Sequence, residues 1–370
     1  MSISPNDDVR FMQEAIRCAH QARRLSPPNP SVGAVIVKDG HIVARGFTQQ
    51  AGGPHAEIMA LREAFEKGIS VESATIYVTL EPCSHFGRTP PCANALIASR
   101  IGRVVVAVLD PNPLVSGQGI ERLKAAGIAV TVGVCEQEAW WMNRGFLTRM
   151  QSHRPWVRLK VAATLDGKTA LPDGRSSWIT GEAAREDNQY WRGEAGAIVT
   201  GIGTVLADDP RMNVRLADQK RFPLKVVVDT HLRTPLNAKL LEDGQTLIVA
   251  AHDPENRAEA LRQRGAEVLF LPATLAPDEG KRVDLVKMVS LLAEREVNEV
   301  HLEAGASLNG AFLTENLVDE ILLYTAPCFF GEGRSIATLP IPETPGSAHR
   351  WTVKDFTQIG TDLRTLLKKD

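Results

Sequence analysis

The sequence is poor in aromatic residues and has almost no excess charge, and both shortages limit its possible partners. Phenylalanine, tryptophan and tyrosine make up 5% of the 370 residues, and the net charge at pH 7 is −2. A nucleic-acid-binding protein usually has a basic stripe, and one that holds unstacked bases needs aromatic side chains as well. The composition therefore argues against nucleic acid as a substrate or partner.

Cysteines and long apolar runs are also scarce. No run approaches the roughly 18 apolar residues that favour a membrane-spanning helix, and residues 1–10 are polar, without the apolar core of a signal peptide. Five cysteines are too few and too scattered for a disulfide framework, and their odd number leaves at least one unpaired. We expect a reduced, cytoplasmic protein without membrane contact, divided by its length into two domains.

Segments typical of strands and helices alternate along the chain. In the first part, strands are predicted at 32–37, 42–43, 75–80, 104–109 and 129–134, and helices at 9–19, 55–67, from about 91, before 127 and at 137–150. In the second part, strands are predicted at 156–163, 197–200, 224–229, 246–251, 267–271 and 300–303, and helices near 181–194, 255–264, 282–295 and 307–316. This alternation predicts two α/β domains, residues 1–150 and 151–370, with Pro155 interrupting any continuing helix.

The most informative pattern lies between residues 54 and 92. His55-Ala56-Glu57 is followed by Pro82-Cys83 and by Pro91-Cys92, and zinc nucleobase deaminases have the related signature H-x-E followed by P-C-x-x-C. One imidazole and two thiolates can hold Zn²⁺ and leave one tetrahedral position for water. Glu57 is placed to move the protons of that water, so the pattern predicts hydrolytic deamination with Glu57 as the catalytic residue.

Helical spacing constrains this site. Residues two apart face different ways on a regular helix, so His55 and Glu57 can converge only if His55 lies at the loose first turn. The alternative function is a closed structural zinc site, which needs a fourth ligand, and His85 is the obvious local candidate. The other cysteines have no motif around them and are expected in the core: Cys18, Cys135 and Cys328.

Residues 27–119 resemble the deaminase half of the bifunctional riboflavin-biosynthesis deaminase/reductase family. The matching segments are residues 28–33, 54–57, 79–85, 91–92 and 110–113. Cytidine and tRNA-adenosine deaminases have two residues between the paired cysteines, whereas this family has the eight seen here. The resemblance implies a cytidine-deaminase-like three-layer α/β/α domain that acts on a diaminopyrimidinone with a ribosylamino phosphate.

The same resemblance implies that Asn29 holds the ring or ribose of the substrate. Within the eight-residue insert, His85 and Arg88 could contact a ring edge or a phosphate. The alternative is that both lie in a solvated loop.

Two glycine-containing turns follow predicted strands in the second half, at residues 200–204 and 303–310. Backbone N–H groups at such turns bind phosphate well where a helix begins, although a glycine after a strand is often only a turn. Together with residues 159–160, 164–168, 176–180 and 208–211, they resemble the reductase half of the same family, which has a dihydrofolate-reductase-like α/β fold. The resemblance weakens after about residue 340.

The reductase resemblance implies NADPH as the hydride donor that converts the ribosyl group to ribityl. The residues that would hold NADPH are Ala162, Trp178, Thr204, Asp208, Thr230, Gly305, Ala306, Ser307, Leu308, Asn309, Gly310 and Ala311. The residues that would hold the sugar phosphate are Lys160, Ser176, Arg192, Met212, Arg215 and Glu303. Guanidinium groups match phosphate oxygens, so the two arginines are predicted to be phosphate clamps. Lys160 and Asp208 are also candidate proton donors, each equally well explained as a structural or binding residue.

Two positions depart from the family pattern without changing its chemistry: Thr164 replaces a serine, and Met212 replaces an aliphatic residue. Arg233, after the strand at 224–229, is a candidate contact for the 2′-phosphate of NADPH. The implied partners are small pyrimidine ribosyl phosphates and other copies of the same chain.

Three other functions make different predictions. A deaminase acting on nucleic acid needs the basic groove and the aromatics that are missing. A zinc-stabilised binding module fused to a nucleotide sensor would not need Glu57, which is present. A monofunctional enzyme would show one decayed half, whereas both halves look intact. The sequence therefore favours a bifunctional enzyme.

Overall fold

The structure, a computed structural model, describes residues 5–84, 90–112, 116–176, 178–273 and 282–369. The chain divides into two compact units, Met1–His153 and Arg154–Asp370. This division falls close to the boundary predicted near residue 150. Each unit has its own sheet and its own apolar core.

The first unit is built on a mixed five-stranded sheet. Its strands are β1 (Gly33–Lys38), β2 (His41–Phe47), β3 (Thr75–Leu80), β4 (Arg103–Val108) and β5 (Ala129–Val132). Its helices are α1 (Pro5–Ala22), α2 (Ala56–Glu66), α3 (Cys92–Ala98), α4 (Gln118–Ala125), α5 (Glu136–Met142) and α6 (Arg144–Ser152). In the order β2-β1-β3-β4-β5, β1 is antiparallel to both neighbours, and β3, β4 and β5 run parallel.

Two groups of helices pack against this sheet. Helix α1 contacts α5, whereas α2 contacts α3 and α3 contacts α4. Two glycines allow very close approach: a Cβ atom at Gly33 would lie 1.9 Å from the carbonyl oxygen of Ala15, and one at Gly46 would lie 2.1 Å from that of Ala56. The predicted three-layer α/β/α arrangement is confirmed, and Gly46 fixes how closely the start of α2 approaches β2.

The second unit is built on a nine-stranded sheet. The strands of this unit are β6 (Trp156–Thr164), β7 (Lys168–Ala170), β8 (Ala197–Gly201), β9 (Leu224–Val228), β10 (Thr246–Ala250), β11 (Ala266–Phe270), β12 (Glu299–Leu302), β13 (Glu320–Ala326), β14 (Arg334–Ser335), β15 (Trp351–Ile359) and β16 (Asp362–Lys369). The helices are α7 (Glu182–Glu194), α8 (Ile202–Asp208), α9 (Ala258–Gln263), α10 (Leu285–Glu294) and α11 (Ala306–Thr314). The sheet order is β11-β10-β9-β8-β12-β6-β13-β16-β15, and β7 pairs with β14 separately. All neighbours in the large sheet are parallel except the last two pairs.

Alternate residues of these strands enter two different apolar clusters. Val199 and Val226 pack with α10 and α11, whereas Ile198 and Val227 pack with residues of α8 and α9. Because side chains alternate across a strand, the two clusters lie on opposite faces of the sheet. The sheet is therefore covered by helices on both faces, as expected for its parallel strands.

The elements differ from the sequence prediction at several places, among them α8, β7 and β14, which were not predicted. The single helix predicted at 137–150 is wrong: it is two helices that meet at Asn143, whose side-chain amide bonds the N–H of Ser31 at 2.7 Å and its carbonyl at 3.0 Å. Strand β13 was not predicted, and neither was the β15–β16 hairpin. In β15 a register shift between Val353 and Asp355 interrupts the two-residue period by which strands are recognised.

The approach of β2 to α2 predicts the effect of a methyl group there. Gly46→Ala should lower the free energy of unfolding of the first unit by about 1–3 kcal/mol, because the new Cβ meets the backbone of α2. Gly346→Ala is the matched control, since its Cβ would meet no atom nearer than 3.8 Å. Urea titration of both variants measures the difference, and equal stability would contradict the packing.

Candidate metal centre and reductase site

Three predicted zinc ligands converge at two helix starts and one strand end. His55 is the residue that precedes α2, with extended backbone, Cys92 is the first residue of α3, and Cys83 follows β3. His55 Nδ1 lies 3.3 Å from Cys92 Sγ and 3.6 Å from Cys83 Sγ, and all three ligand atoms lie within 4.8 Å of one another. Tetrahedral zinc, with ligands at about 2.0 and 2.3 Å, would separate nitrogen and sulfur by about 3.5 Å. The donor set therefore fits zinc.

The two thiols differ in their surroundings. The Cys92 side chain and its backbone N–H, which lies 3.3 Å from Cys83 Sγ, stabilise a thiolate there, so the pKa of Cys83 is lowered to about 4. The adjacent Cys83 and burial raise the pKa of Cys92, because a second negative charge is opposed. His55 has a raised pKa because Cys83 accepts its hydrogen bond. A divalent cation would compensate the negative charges of the two sulfurs, so that both would be held as thiolates.

Glu57 lies in the first turn of α2, two residues from His55. Its side chain is buried, with 4% of the residue exposed, and burial raises its pKa to about 7. The imidazole of His55 opposes this rise, and Cys92 lies within hydrogen-bonding range of the carboxyl group. A carboxyl group of this pKa can both accept and return a proton at neutral pH.

Glu81, the residue before Pro82-Cys83, has a structural role that the sequence did not predict. The Glu81 carboxylate accepts hydrogen bonds from the backbone N–H groups of Gly117 and Gly119, each at 3.0 Å, and more weakly from those of Asp110 and Ile120. It therefore ties the segment that contains Cys83 to the start of α4. The only sequence signal was a carboxylate directly before the Pro-Cys pair.

The predicted substrate residues of the first unit are only partly described. Asn29 lies in a turn where its N–H donates to the carbonyl of Ser26 at 3.0 Å. The following backbone is held by the Ser31–Asn143 pair described above, and the N–H of Val32 donates to Thr48 Oγ1 at 3.1 Å. His85 and Arg88 lie outside the described residues.

In the second unit, the predicted NADPH residues gather at one edge of the sheet. Strands β9, β8, β12 and β6 are parallel neighbours, and Thr230, Gly201, Gly305 and Ala162 lie at or near their carboxyl ends. The two glycine turns adjoin, because a Cβ atom at Gly201 would lie 3.3 Å from the Leu308 side chain. Thr204 lies in the first turn of α8. The start of α11, with open space beside Gly305, fits a phosphate group of the cofactor.

The other predicted NADPH residues differ in their surroundings, and two of them are occupied by packing contacts. A Cβ atom at Gly310 would lie 2.0 Å from the carbonyl oxygen of Thr338, and the Asn309 side chain donates to the carbonyl of Ile336 at 2.8 Å. Asp208 lies at the far end of α8, where burial raises its pKa. Trp178 is three-quarters exposed beside Arg185, at the rim of an open cavity of about 540 Å³.

The predicted sugar-phosphate residues centre on Glu303. Arg192 Nε and Nη2 donate to its two carboxylate oxygens, each at 2.6 Å, and Arg192 Nη1 donates to the carbonyl of Asn213 at 3.2 Å. Burial alone would raise the pKa of Glu303, but Arg192 and His301 hold it well below its ordinary value. Burial lowers the pKa of Lys160, and the charge of Glu303 opposes this shift.

The remaining residues of this set are differently exposed. The Arg215 N–H donates to Gln189 Oε1 at 3.0 Å, while its guanidinium is exposed and reaches Asn213 Oδ1 at 3.4 Å. Met212 is buried in the cluster around α8, so only its backbone could reach a substrate. Ser176 is half-buried. Arg215 is therefore better placed than Arg192 to bind a phosphate.

Comparison with known proteins assigns both units. The model of the cytidine and deoxycytidylate deaminase zinc-binding region matches residues 5–108, and that of the RibD C-terminal domain matches residues 155–365. The riboflavin biosynthesis protein RibD of Aquifex aeolicus is 42% identical over 98% of both chains, and that of Escherichia coli is 41% identical over 96% of this chain and 98% of its own.

Solved structures agree. RibD of Acinetobacter baumannii (form 1) superimposes with a TM-score of 0.90 at 41% identity, covering 99% of this chain and 100% of its own. A diaminohydroxyphosphoribosylaminopyrimidine deaminase/5-amino-6-(5-phosphoribosylamino)uracil reductase from Thermotoga maritima gives 0.87 at 31% identity over 99% of both chains. The predicted family, fold, enzyme classes and cofactors are confirmed. The chain belongs to the RibD family, riboflavin-biosynthesis enzymes that join a zinc-binding deaminase domain to an NADPH-dependent reductase domain.

Proposed function

We propose that the first unit deaminates 2,5-diamino-6-ribosylamino-4(3H)-pyrimidinone 5′-phosphate, and that the second unit reduces the product's ribosyl group to ribityl. The observation that supports the first step is the convergence of His55, Cys83 and Cys92 beside the buried carboxyl group of Glu57. The Thermotoga maritima relative, a diaminohydroxyphosphoribosylaminopyrimidine deaminase and reductase, supports this choice of substrate. In the deamination, water adds to the ring carbon, the carbon–nitrogen bond breaks, and ammonia leaves.

In the proposed metal site, His55, Cys83 and Cys92 hold the zinc. When bound, zinc in such a site lowers the pKa of a water ligand to about 7. Glu57 takes a proton from the attacking water and returns it to the departing amino group. Glu81 keeps the Cys83 segment against α4 through its backbone hydrogen bonds, so it contributes by position and not by proton transfer.

In the proposed reductase site, the edge formed by β9, β8, β12 and β6 binds NADPH. The cofactor supplies the hydride that reduces the opened ribosyl group. Glu303 accepts hydrogen bonds from hydroxyl groups of the sugar, and Arg215 binds the phosphate. Lys160 lies near enough to Glu303 for their charges to interact, and it is one candidate for the proton donor. Asp208 lies at the far end of α8, which favours Lys160.

Two further proposals concern surroundings and assembly. None of the described helices could cross a membrane, and none of the five cysteines forms a disulfide bond. We propose that the enzyme works in the cytoplasm.

The family resemblance supports a homo-oligomer, which light scattering of the purified protein would test.

The catalytic proposal predicts that Glu57→Gln leaves zinc bound but lowers the rate of ammonia release by at least about 100-fold. Reduction of the supplied deaminated intermediate should continue at the normal rate, because that site is in the other unit. Zinc analysis, ammonia assay and NADPH absorbance measure the three quantities. Undiminished ammonia release would exclude Glu57 as the proton carrier.

The ligand assignment predicts a loss of metal from Cys92→Ser. Zinc should fall from about one per chain to a small fraction, because the serine hydroxyl is a poor zinc ligand. Ammonia release should stop while reduction persists. Cys135→Ser, a half-buried cysteine of the same unit, is the matched control and should keep both zinc and deamination. Full zinc content in Cys92→Ser would remove that cysteine from the ligand set.

The reductase assignment predicts that Arg215→Ala raises the KM for the deaminated intermediate about 10- to 100-fold, because a charged hydrogen bond to phosphate is lost. Deamination should be unchanged. Arg350→Ala, at another exposed arginine of the same unit, is the control for loss of surface charge. An equal loss in both reactions of Arg215→Ala would indicate misfolding instead.

A further inference from the structure

His301 is a buried polar residue of the second unit that the steps above do not use. It lies on β12 with no exposed surface, between Val300 and Leu302, which enter the apolar core on the opposite face. Its sheet neighbours in register are Ile198 on β8 and Arg158 on β6. A histidine in this position loses its hydration, so it needs a specific partner.

Two oxygen atoms lie close to the Nε2 atom of His301. His301 Nε2 lies 3.0 Å from Glu303 Oε1 and 3.1 Å from Asn188 Oδ1. Both atoms are acceptors, so Nε2 must bear the proton, which it donates to Asn188 Oδ1. Nδ1 has no hydrogen-bond partner among the described residues, and burial lowers the pKa of His301 to about 4. The imidazole is therefore neutral, with its hydrogen on Nε2.

The two oxygens of Glu303 are used unequally. Oε1 accepts from Arg192 Nε at 2.6 Å and from Asn188 Nδ2 at 3.1 Å, and His301 Nε2 lies 3.0 Å from it. Oε2 accepts from Arg192 Nη2 at 2.6 Å, which is its only hydrogen bond from the described residues. A carboxylate oxygen can accept about two hydrogen bonds. Oε1 is thus saturated, whereas Oε2 keeps a free acceptor position.

We propose that His301 and Asn188 are positioning residues of the reductase site. His301 orients the amide of Asn188, whose Nδ2 occupies Oε1 of Glu303, so that Oε2 is presented to a hydroxyl group of the sugar-phosphate substrate. The inference rests on the proposed reductase function. It specifies which oxygen recognises the sugar. It also gives a reason for polar side chains at two buried positions, one on β12 and one on α7.

Two substitutions of His301 separate positioning from packing. His301→Leu fills similar volume without a donor, whereas His301→Gln can place an N–H donor near the position of Nε2. His301→Leu should raise the KM for the deaminated intermediate about tenfold, because it removes the buried hydrogen bond that orients the Asn188 amide toward Glu303. His301→Gln should stay within about threefold of the unmodified enzyme. The dissociation constant of NADPH, measured by fluorescence, should be unchanged in both variants.

Further variants serve as partner and control. Asn188→Leu should raise the same KM, and its effect should not add fully to that of His301→Leu, because both act on Oε1. His349→Leu, at an exposed histidine of the same unit, should change nothing. An unchanged KM in His301→Leu, an equal defect in His301→Gln, or a parallel weakening of NADPH binding would overturn the proposal.

A spectroscopic measurement on the unmodified protein decides the tautomer independently. The ¹⁵N spectrum at pH 7 should show His301 with a protonated Nε2 and a bare Nδ1, assigned by the loss of these signals in His301→Gln. A proton on Nδ1, or a charged ring, would refute the arrangement even if His301→Leu does not fold. If the unmodified enzyme fails to reduce the intermediate, the proposed function fails instead, while the tautomer result stands.

Discussion

Both candidate sites depend on one constraint: parallel strands end at the same edge of a sheet, so the segments that follow them meet. In the first unit, β3 is followed by Glu81 and Cys83, and the next parallel strand, β4, is followed by Asp110, whose N–H bonds Glu81. In the second unit, β8 and β12 are followed by glycine turns that touch each other. Residues about 100 positions apart in sequence are thereby placed together.

In the first unit, the chemistry of the metal site depends on a carboxyl group that is buried close to an imidazole and two thiols. Glu57 is removed from water, which raises its pKa, while the helix starts at α2 and α3 bring an imidazole and a thiol to the same point. The opposite holds for Glu303 in the second unit. There Arg192 lowers the pKa of the carboxyl group more than burial raises it, so the carboxylate stays charged. One carboxyl group is thus suited to exchanging protons and the other to accepting hydrogen bonds.

Polar residues on a buried sheet face explain how Glu303 is held. His301, Arg158 and Glu320 lie in register on β12, β6 and β13, and the Arg158 guanidinium lies 4.4 Å from the Trp191 ring on α7. Such a row needs every group to be paired, since an unpaired buried charge is costly. The same helix supplies Asn188 and Arg192 to Glu303. The position of the Glu303 carboxylate is therefore set by donors from α7, which packs against β12.

The sequence by itself determined the metal chemistry, because His55, Glu57, Cys83 and Cys92 are held by local spacing at helix starts and a strand end. It also determined most strands and helices, whose apolar periods follow from burial. Only the tertiary structure decided what Glu81, Asn143, Asn188 and His301 do. Each bonds a group far along the chain, such as Asn188 with His301, and a residue's neighbours across a sheet leave no periodic signal in sequence. For the same reason, the sequence predicted Arg192 as a phosphate clamp, whereas the fold pairs it with Glu303.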